Sequence, residues 1–263
     1  MATPAKSRRS PVTLSLDVGG TGIKGDTLDL RGATTADRVR VPTSYPLSPQ
    51  SLVEVFGEIA SRLPTFDRVS VGFPGVVRGG LILSAPHFVR RGGDDTPVVP
   101  ELERAWLRFD LAGATAKALG KPVRVANDAE VQGMAVVQGH GLEVVLTLGT
   151  GVGSAVFREG RLAPHLELAH RPLHQNRTYN EDLGDQVRKR IGSKRWNKRV
   201  VRMVGVVRAL LFFDHLYVGG GNSAAVKVDL GPDVTLVDND AGILGGIKLW
   251  EQPSERGKPA PID

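Results

Sequence analysis

Two glycine-threonine turns, each directly after a short apolar run, constrain this chain more than any other feature. The first is Asp17-Val18-Gly19-Gly20-Thr21; the second, Leu148-Gly149-Thr150-Gly151-Val152-Gly153, follows about 130 residues later. Glycine has no Cβ, so successive N–H groups can turn inward onto an anion, and each threonine adds a hydroxyl donor. A lone Gly-Gly-Thr string also suits a tight β-hairpin. Two such strand-turn-strand units flanking Asn127-Asp128 point instead to a phosphate clamp with two jaws, the arrangement phosphoryl transfer requires.

The surrounding pattern supports two similar halves. Val12–Asp17 reads as a buried strand with hairpin partners at Gly25–Leu30 and Arg38–Val41. Leu52, Val55, Phe56, Ile59 and Leu63 recur at helical spacing, and strands are expected at Val69–Phe73, Leu81–Leu83 and Val123–Ala126, with a helix over Leu111–Leu119. Pro86–Glu103 is rich in Gly, Asp, Pro and Arg and aperiodic, and is expected to be a long surface loop able to close over a cleft. The second half repeats the theme with strands at Val144–Leu148, Ser154–Phe157, Leu216–Val218 and Val234–Val237. Helices are expected after Tyr179, over Arg195–Phe213 and over Ala241–Trp250. This predicts an α/β protein of two lobes, residues 1–126 and 127–263, with facing turns and the last helix packing back on the first lobe. Met1–Pro11 is expected to be a frayed tail and the residues after Pro253 a loose one.

Composition excludes several classes. At 263 residues and 41% hydrophobic the chain can bury a substantial core. It has no cysteine, which rules out disulfides and Cys-based zinc or redox sites. No apolar stretch approaches the roughly 18 residues of a membrane span, and the basic start lacks the apolar core of a signal peptide. A cytoplasmic location fits these features. The net charge of +6 is uneven: between Arg188 and Arg202 lie eight Lys/Arg residues and no acid. Such a run is a solvated helix face or a patch for a polyanion.

These motifs in this order resemble the ROK family of sugar kinases, and hence imply its two-lobed actin-like (ribonuclease H-like) fold with a central cleft. Leu16–Gly25 is similar to the family's first phosphate motif, and Gly72-Phe73-Pro74-Gly75 to its Gly-x-Pro-Gly segment. Asn127-Asp128 resembles its sugar-and-base pair, Leu148–Gly153 its second phosphate motif, and Glu167-Leu168-Ala169-His170 its Glu-x-Gly-His element. Gly219-Gly220-Gly221 is similar to the glycine turn beside the nucleotide base in ATP-using members. Ala169 departs from the usual glycine, and the Phe88–Glu103 loop is longer than the family's. Most members bind zinc through a Cys-rich motif after Glu-x-Gly-His. Tyr179-Asn180-Glu181-Asp182-Leu183 stands there instead, so no zinc is expected, and Glu181 falls on the family's second sugar-contacting glutamate. This zinc-free pattern, with a basic helix nearby, resembles the polyphosphate glucokinase and glucomannokinase group.

The resemblance implies roles residue by residue. Asp128 is the candidate general base, able to take the proton of an attacking sugar hydroxyl; the alternative for an Asn-Asp pair is a helix N-cap. Asn127, Glu167, His170 and Glu181 suit a ring of sugar hydroxyls, whereas Glu167-x-x-His170 alone could be half a metal site. His165 and His174 read as surface polar residues. Gly19, Gly20, Thr21, Gly149, Thr150 and Gly151 are expected to hold phosphates, and Gly219, Gly220 and Gly221 a nucleotide. Asp17 is the candidate Mg²⁺ ligand, or else closes an Asx turn; Lys24 reaches the phosphates or is a solvated hairpin residue. Lys194, Arg195, Lys198, Arg199 and Arg202 would form a polyphosphate groove or a solvated face, with Val200, Val201, Val204, Val207 and Leu211 inward. Glucose, inorganic polyphosphate and ATP are thus the implied small-molecule partners and a homodimer the implied assembly, with no nucleic acid. A non-catalytic sugar-responsive repressor would need a DNA-binding domain, and about eleven residues precede the first strand here.

Overall fold

In the computed structural model, residues 10–92, 96–238 and 242–253 are described. The expected frayed start before Ser10, the loose tail after Pro253 and the Ala241 start of the last helix lie outside them. Two five-stranded sheets dominate. The first contains β1 (Thr13–Val18), β2 (Ile23–Leu28), β3 (Val39–Val41) and β4 (Arg68–Phe73), with helix α1 (Pro49–Ser61) inserted before β4. A small antiparallel sheet of β5 (Val76–Arg78), β6 (Leu81–Ser84) and β7 (Phe109–Asp110) follows, with α2 (Pro100–Trp106) between β6 and β7. Helix α3 (Leu111–Leu119) then leads to β8 (Val123–Asn127), which completes the first sheet in the order β3-β2-β1-β4-β8.

Helix α4 (Asp128–Val136) crosses to the second sheet, whose strands are β9 (Leu142–Leu148), β10 (Val152–Arg158) and β11 (Arg161–Leu162). A β12 (Pro172–His174) and β13 (Arg177–Thr178) ribbon leads into α5 (Tyr179–Leu183), α6 (Asp185–Ile191) and α7 (Ser193–Leu211). Strands β14 (His215–Gly219) and β15 (Val234–Leu236) complete the order β11-β10-β9-β14-β15, and α8 (Gly242–Lys248) closes the chain. The internal repeat is visible in the ladders. In each sheet an antiparallel hairpin carries the Gly/Thr turn, a third strand adds antiparallel on one side, and two strands add parallel on the other.

Local chemistry explains the elements. The interior strand β4 buries Val69, Val71 and Phe73 on one face and Ser70 on the other, as a parallel strand covered on both faces does. Helix α1 starts at Ser48, whose hydroxyl accepts the Ser51 N–H, has Pro49 in its first turn, and buries Leu52, Phe56 and Ile59. Helix α3 is capped by Asp110 and stopped by Gly120 at φ 63°. Helix α4 touches β4 and β8 as well as β9 and β10, while α8 returns to pack on α4, β1 and β4. Among the described residues no helix is long and apolar enough to cross a membrane.

Two expectations change. The described residues of the Pro86–Glu103 stretch do not form a free loop: Phe88 is fully buried against Phe73 and Trp106, the Val99 N–H donates to Val89 O (2.7 Å), and α2 begins at Pro100. An aromatic side chain in the core anchors it, so it frames the cleft rather than swinging over it. On α7, Val200, Val204 and Val207 point inward with Met203, but Val201 is exposed, because the buried stripe is narrower than expected.

Candidate functional site

Parallel pairing brings the key residues to one sheet end. Asp17 at the end of β1 is in register with Gly72 of β4, and Phe73 with Asn127 of β8. The chain leaves β1 into the first Gly/Thr turn, β4 into Pro74-Gly75, and β8 into α4. Such carboxyl ends are where α/β sheets place ligands. The cleft there is lined by Gly75, Asn127, Asp128, Glu167 and His170, with Gly151 and Gly153 of the second turn opposite.

The Asn-Asp pair divides its labour. Asn127, not Asp128, caps α4: its Oδ1 accepts the Ala129 N–H (2.9 Å), and Glu130 closes the capping box by accepting the Asn127 N–H (2.9 Å). The Asn127 amide also donates to Gly75 O (3.0 Å), fixing the Pro74-Gly75 turn. Asp128 is therefore not needed for the cap and faces the cleft, its Oδ1 accepting the Ala129 N–H (2.9 Å). Burial, then the neighbouring Asp17 charge, raises its carboxyl to about 6, against the opposing pull of the Ala129 N–H and His87. A carboxyl so placed is an efficient proton acceptor near neutrality.

Both turns are rigidly held with their hydroxyls outward. In the first, the Gly19 N–H donates to Gly22 O (3.1 Å), while Thr43 donates to Gly19 O (2.6 Å) and Tyr45 to Gly20 O (2.9 Å). In the second, Gly149 O accepts from the Asp185 N–H (3.0 Å) and the Asn222 amide (3.1 Å), and Asn180 Oδ1 accepts the Val152 N–H (2.8 Å). Thr21 and Thr150 remain exposed. Gly220 sits at φ 86° with its Cα against the Leu148 backbone, where a Cβ has no room. Gly220 thus buttresses the second turn, Gly219 lies against Val237, and Gly221 is exposed. Lys24 and Asp17 pair with each other (3.2 Å) across the β1–β2 hairpin, at the surface.

The residues expected to bind sugar are only partly brought together. Glu167 faces the cleft with Oε1 accepting the Ala169 N–H (2.9 Å), and His170 stands at its exposed rim. Burial opposes the Glu167 charge, but hydrogen bonds from His165 and the Ala169 N–H hold it below the usual carboxylate range. Glu181 is exposed, and its carboxylate accepts the Thr178 N–H (2.8 Å) in the capping box of α5. It is not among the cleft-lining residues. Of the basic residues on α7, Lys194, Arg195, Lys198 and Arg202 are exposed, but Arg199 is not part of that face. Its guanidinium pairs with the fully buried Asp182 (3.1 Å), which also holds Arg177, because a buried carboxylate requires partners.

The site also contains residues that sequence reasoning missed. His165, expected at the surface, has a side chain only 6% exposed and lies between Glu130 and Glu167. His87 lines the cleft near Asp128, and Asn180 braces the second turn. The Asn127-x-x-Glu130 spacing was a legible capping-box signal; the others come from distant segments with no local pattern.

Known proteins resemble this chain in sequence and fold. The ROK family profile matches residues 13–166. A polyphosphate glucokinase of Mycobacterium tuberculosis is 28% identical over 247 residues, covering 88% of each chain. The crystal structure of an inorganic polyphosphate/ATP-glucomannokinase from Arthrobacter sp. strain KM superposes with a TM-score of 0.74 at 30% identity, covering 90% of this chain and 97% of that one. A ROK family glucokinase from Streptomyces griseus, solved with glucose and AMPPNP, shares the fold at 17% identity and TM-score 0.66, over 90% of this chain and 98% of its own. The α/β fold expected from the motifs is thus that of the ROK sugar kinases. With the family profile covering more than half of its length, the chain belongs to the ROK family.

Proposed function

We propose that this protein phosphorylates the 6-hydroxyl of glucose, and also of mannose, with inorganic polyphosphate or ATP as donor. The observation that carries the reading is Asp128: a base-ready carboxyl on the cleft floor, with Glu167 and His170 on one side and a phosphate-type turn on the other. Asn127 fixes the wall, and Glu167 and His170 orient hydroxyls; Glu181, occupied in the α5 capping box, is left out of the contact set. Asp128 takes the hydroxyl proton as the oxygen bonds to the terminal phosphorus; the bridging P–O bond then breaks, releasing ADP or a polyphosphate one unit shorter. N–H groups and hydroxyls of the two Gly/Thr turns hold the terminal phosphates, and lobe closure excludes water as a competing acceptor. Gly221 and its neighbours border the base when ATP is the donor.

Asp17 fits a Mg²⁺ role, since this ion needs one or two carboxylates beside phosphate oxygens and Asp17 is an exposed carboxylate near Asp128. Bound there, Mg²⁺ would neutralise donor charge, and Lys24 would release Asp17 toward it. From the family resemblance we infer a homodimer and a cytoplasmic location.

Polyphosphate use rests on the exposed Lys194, Arg195, Lys198 and Arg202, which present a cationic strip to a linear polyanion. Initial rates of glucose phosphorylation with each donor test this. Lys198→Glu with Arg202→Glu is expected to raise KM for polyphosphate about tenfold and to flatten its salt dependence by roughly one to two charges. KM for ATP should stay within about twofold. Equal effects on both donors, or none on either, would make the strip ordinary surface, and a wild type that turns over ATP but not polyphosphate would be a strictly ATP-dependent kinase.

A further inference from the structure

A hydrogen-bonded chain runs behind the sugar side of the cleft that the phosphorylation chemistry above does not use. The Asn127 N–H donates to Glu130 Oε2 (2.9 Å), and Glu130 Oε1 meets His165 Nδ1 (2.8 Å). His165 Nε2 in turn faces Glu167 Oε2 (3.4 Å), and Glu167 Oε1 accepts the Ala169 N–H (2.9 Å). Both ring nitrogens of His165 thus face carboxylate oxygens. A neutral imidazole can donate to only one of them; the doubly protonated ring donates to both. The Glu130 side chain is 5% and that of His165 6% exposed, so neither charge is solvated and each depends on the other.

We propose that His165 is a positioning residue: as an imidazolium it ties the sugar-side carboxylate Glu167 to the N-terminus of α4, which carries Asp128, and so sets affinity for the acceptor sugar. The inference rests on the reading of Glu167 as a sugar ligand. Without the bridge, the buried Glu130 and the cleft-lining Glu167 are two carboxylates with no cation between them, and Glu167 turns away from the geometry that Asp128 needs. The groups facing the ring are Glu130 from α4 and Glu167 from its own segment; next along the cleft, His170 acts on Glu167, and Glu167 acts on Asp128. Burial disfavours the imidazolium, but the bonds and charges of Glu130 and Glu167 outweigh it and raise the ring to about 9. The bridge is therefore present through neutral pH and is lost as pH rises through about 9.

The test uses the full chain with glucose, measuring KM and kcat by coupled assay and Kd by calorimetry from pH 6.5 to 9.5. The wild type should bind glucose with constant affinity until the upper end of that range and weaken above it. His165→Gln, which keeps one donor, should raise KM and Kd together about tenfold or more, with kcat within about threefold. Glu130→Gln is the second variant, because it keeps an acceptor for the Asn127 N–H and so preserves the helix cap. It should move the pH at which glucose affinity falls down by one unit or more, a shift that a merely structural role would not produce. Unchanged KM, Kd and pH midpoint in folded variants, beside a wild type that binds glucose, would overturn the inference alone. A wild type with no affinity for glucose would overturn it together with the sugar reading.

Discussion

Replacing Asp128 by Asn should lower kcat for glucose phosphorylation about 10³-fold, within the range a positioned base contributes. Glucose Kd should change by no more than a few-fold. The amide is isosteric and still accepts the Ala129 N–H, and α4 keeps its cap because the cap is Asn127. The same assignment predicts the pH profile. Because the carboxyl is raised to about 6, kcat/KM of the wild type should fall about tenfold per pH unit below 6 and level off above it. Were burial and the Asp17 charge unimportant, the fall would begin near 4, the ordinary carboxylate value. Steady-state kinetics from pH 4.5 to 8 separate the two, and an Asp128→Asn enzyme retaining more than about a tenth of the wild-type kcat would remove the base assignment.

The second large effect is structural. Gly245 of α8 lies directly against the Val131 backbone of α4, and a Cβ there would collide with the Val131 carbonyl. Backbone cannot step aside as a side chain can, so Gly245→Val should cost about 3 kcal/mol or more and lower Tm by roughly 6–12 °C. Gly57 on α1 is the contrast: a Cβ there meets nothing within 4 Å, and Gly57→Ala should be neutral or stabilising by up to about 1 kcal/mol. Thermal unfolding of the two variants measures both. The consequence reaches the site, because α4 carries Asp128 at its first turn and contacts strands of both sheets. A Gly245→Val protein as stable as the wild type would mean that α8 does not clamp α4 as described.

Much of this was legible before any coordinates, and the exceptions share a cause. Buried strands such as β1, β4 and β9 announce themselves as apolar runs ending at glycine turns, and α1 by its apolar spacing and its Ser48-Pro49 start. The two turns and Asn127-Asp128 are contiguous motifs, so their chemistry is local. Strands of two or three residues, such as β7 and β13, carry no periodicity. The α2 start at Pro100 with Glu101 and Glu103 behind it was a signal hidden in an otherwise aperiodic stretch, and nothing local shows that Phe88 is anchored in the core. Charge pairings were least legible. Arg199 counts toward a basic run in sequence, yet its partner Asp182 lies 17 residues earlier; Glu130 lies 35 residues before His165. Such pairs depend on packing of separate segments, which neither spacing nor composition encodes.

The central claim is that this cleft moves a phosphoryl group from a polyphosphate chain to a hexose. Phosphorus NMR of the wild-type protein with glucose, long-chain polyphosphate and Mg²⁺ observes that transfer directly. The account predicts a growing glucose 6-phosphate signal that requires glucose and enzyme, and the same product with ATP. Sugar phosphate from ATP but not from polyphosphate would contradict the donor assignment, and none from either donor would contradict the account as a whole.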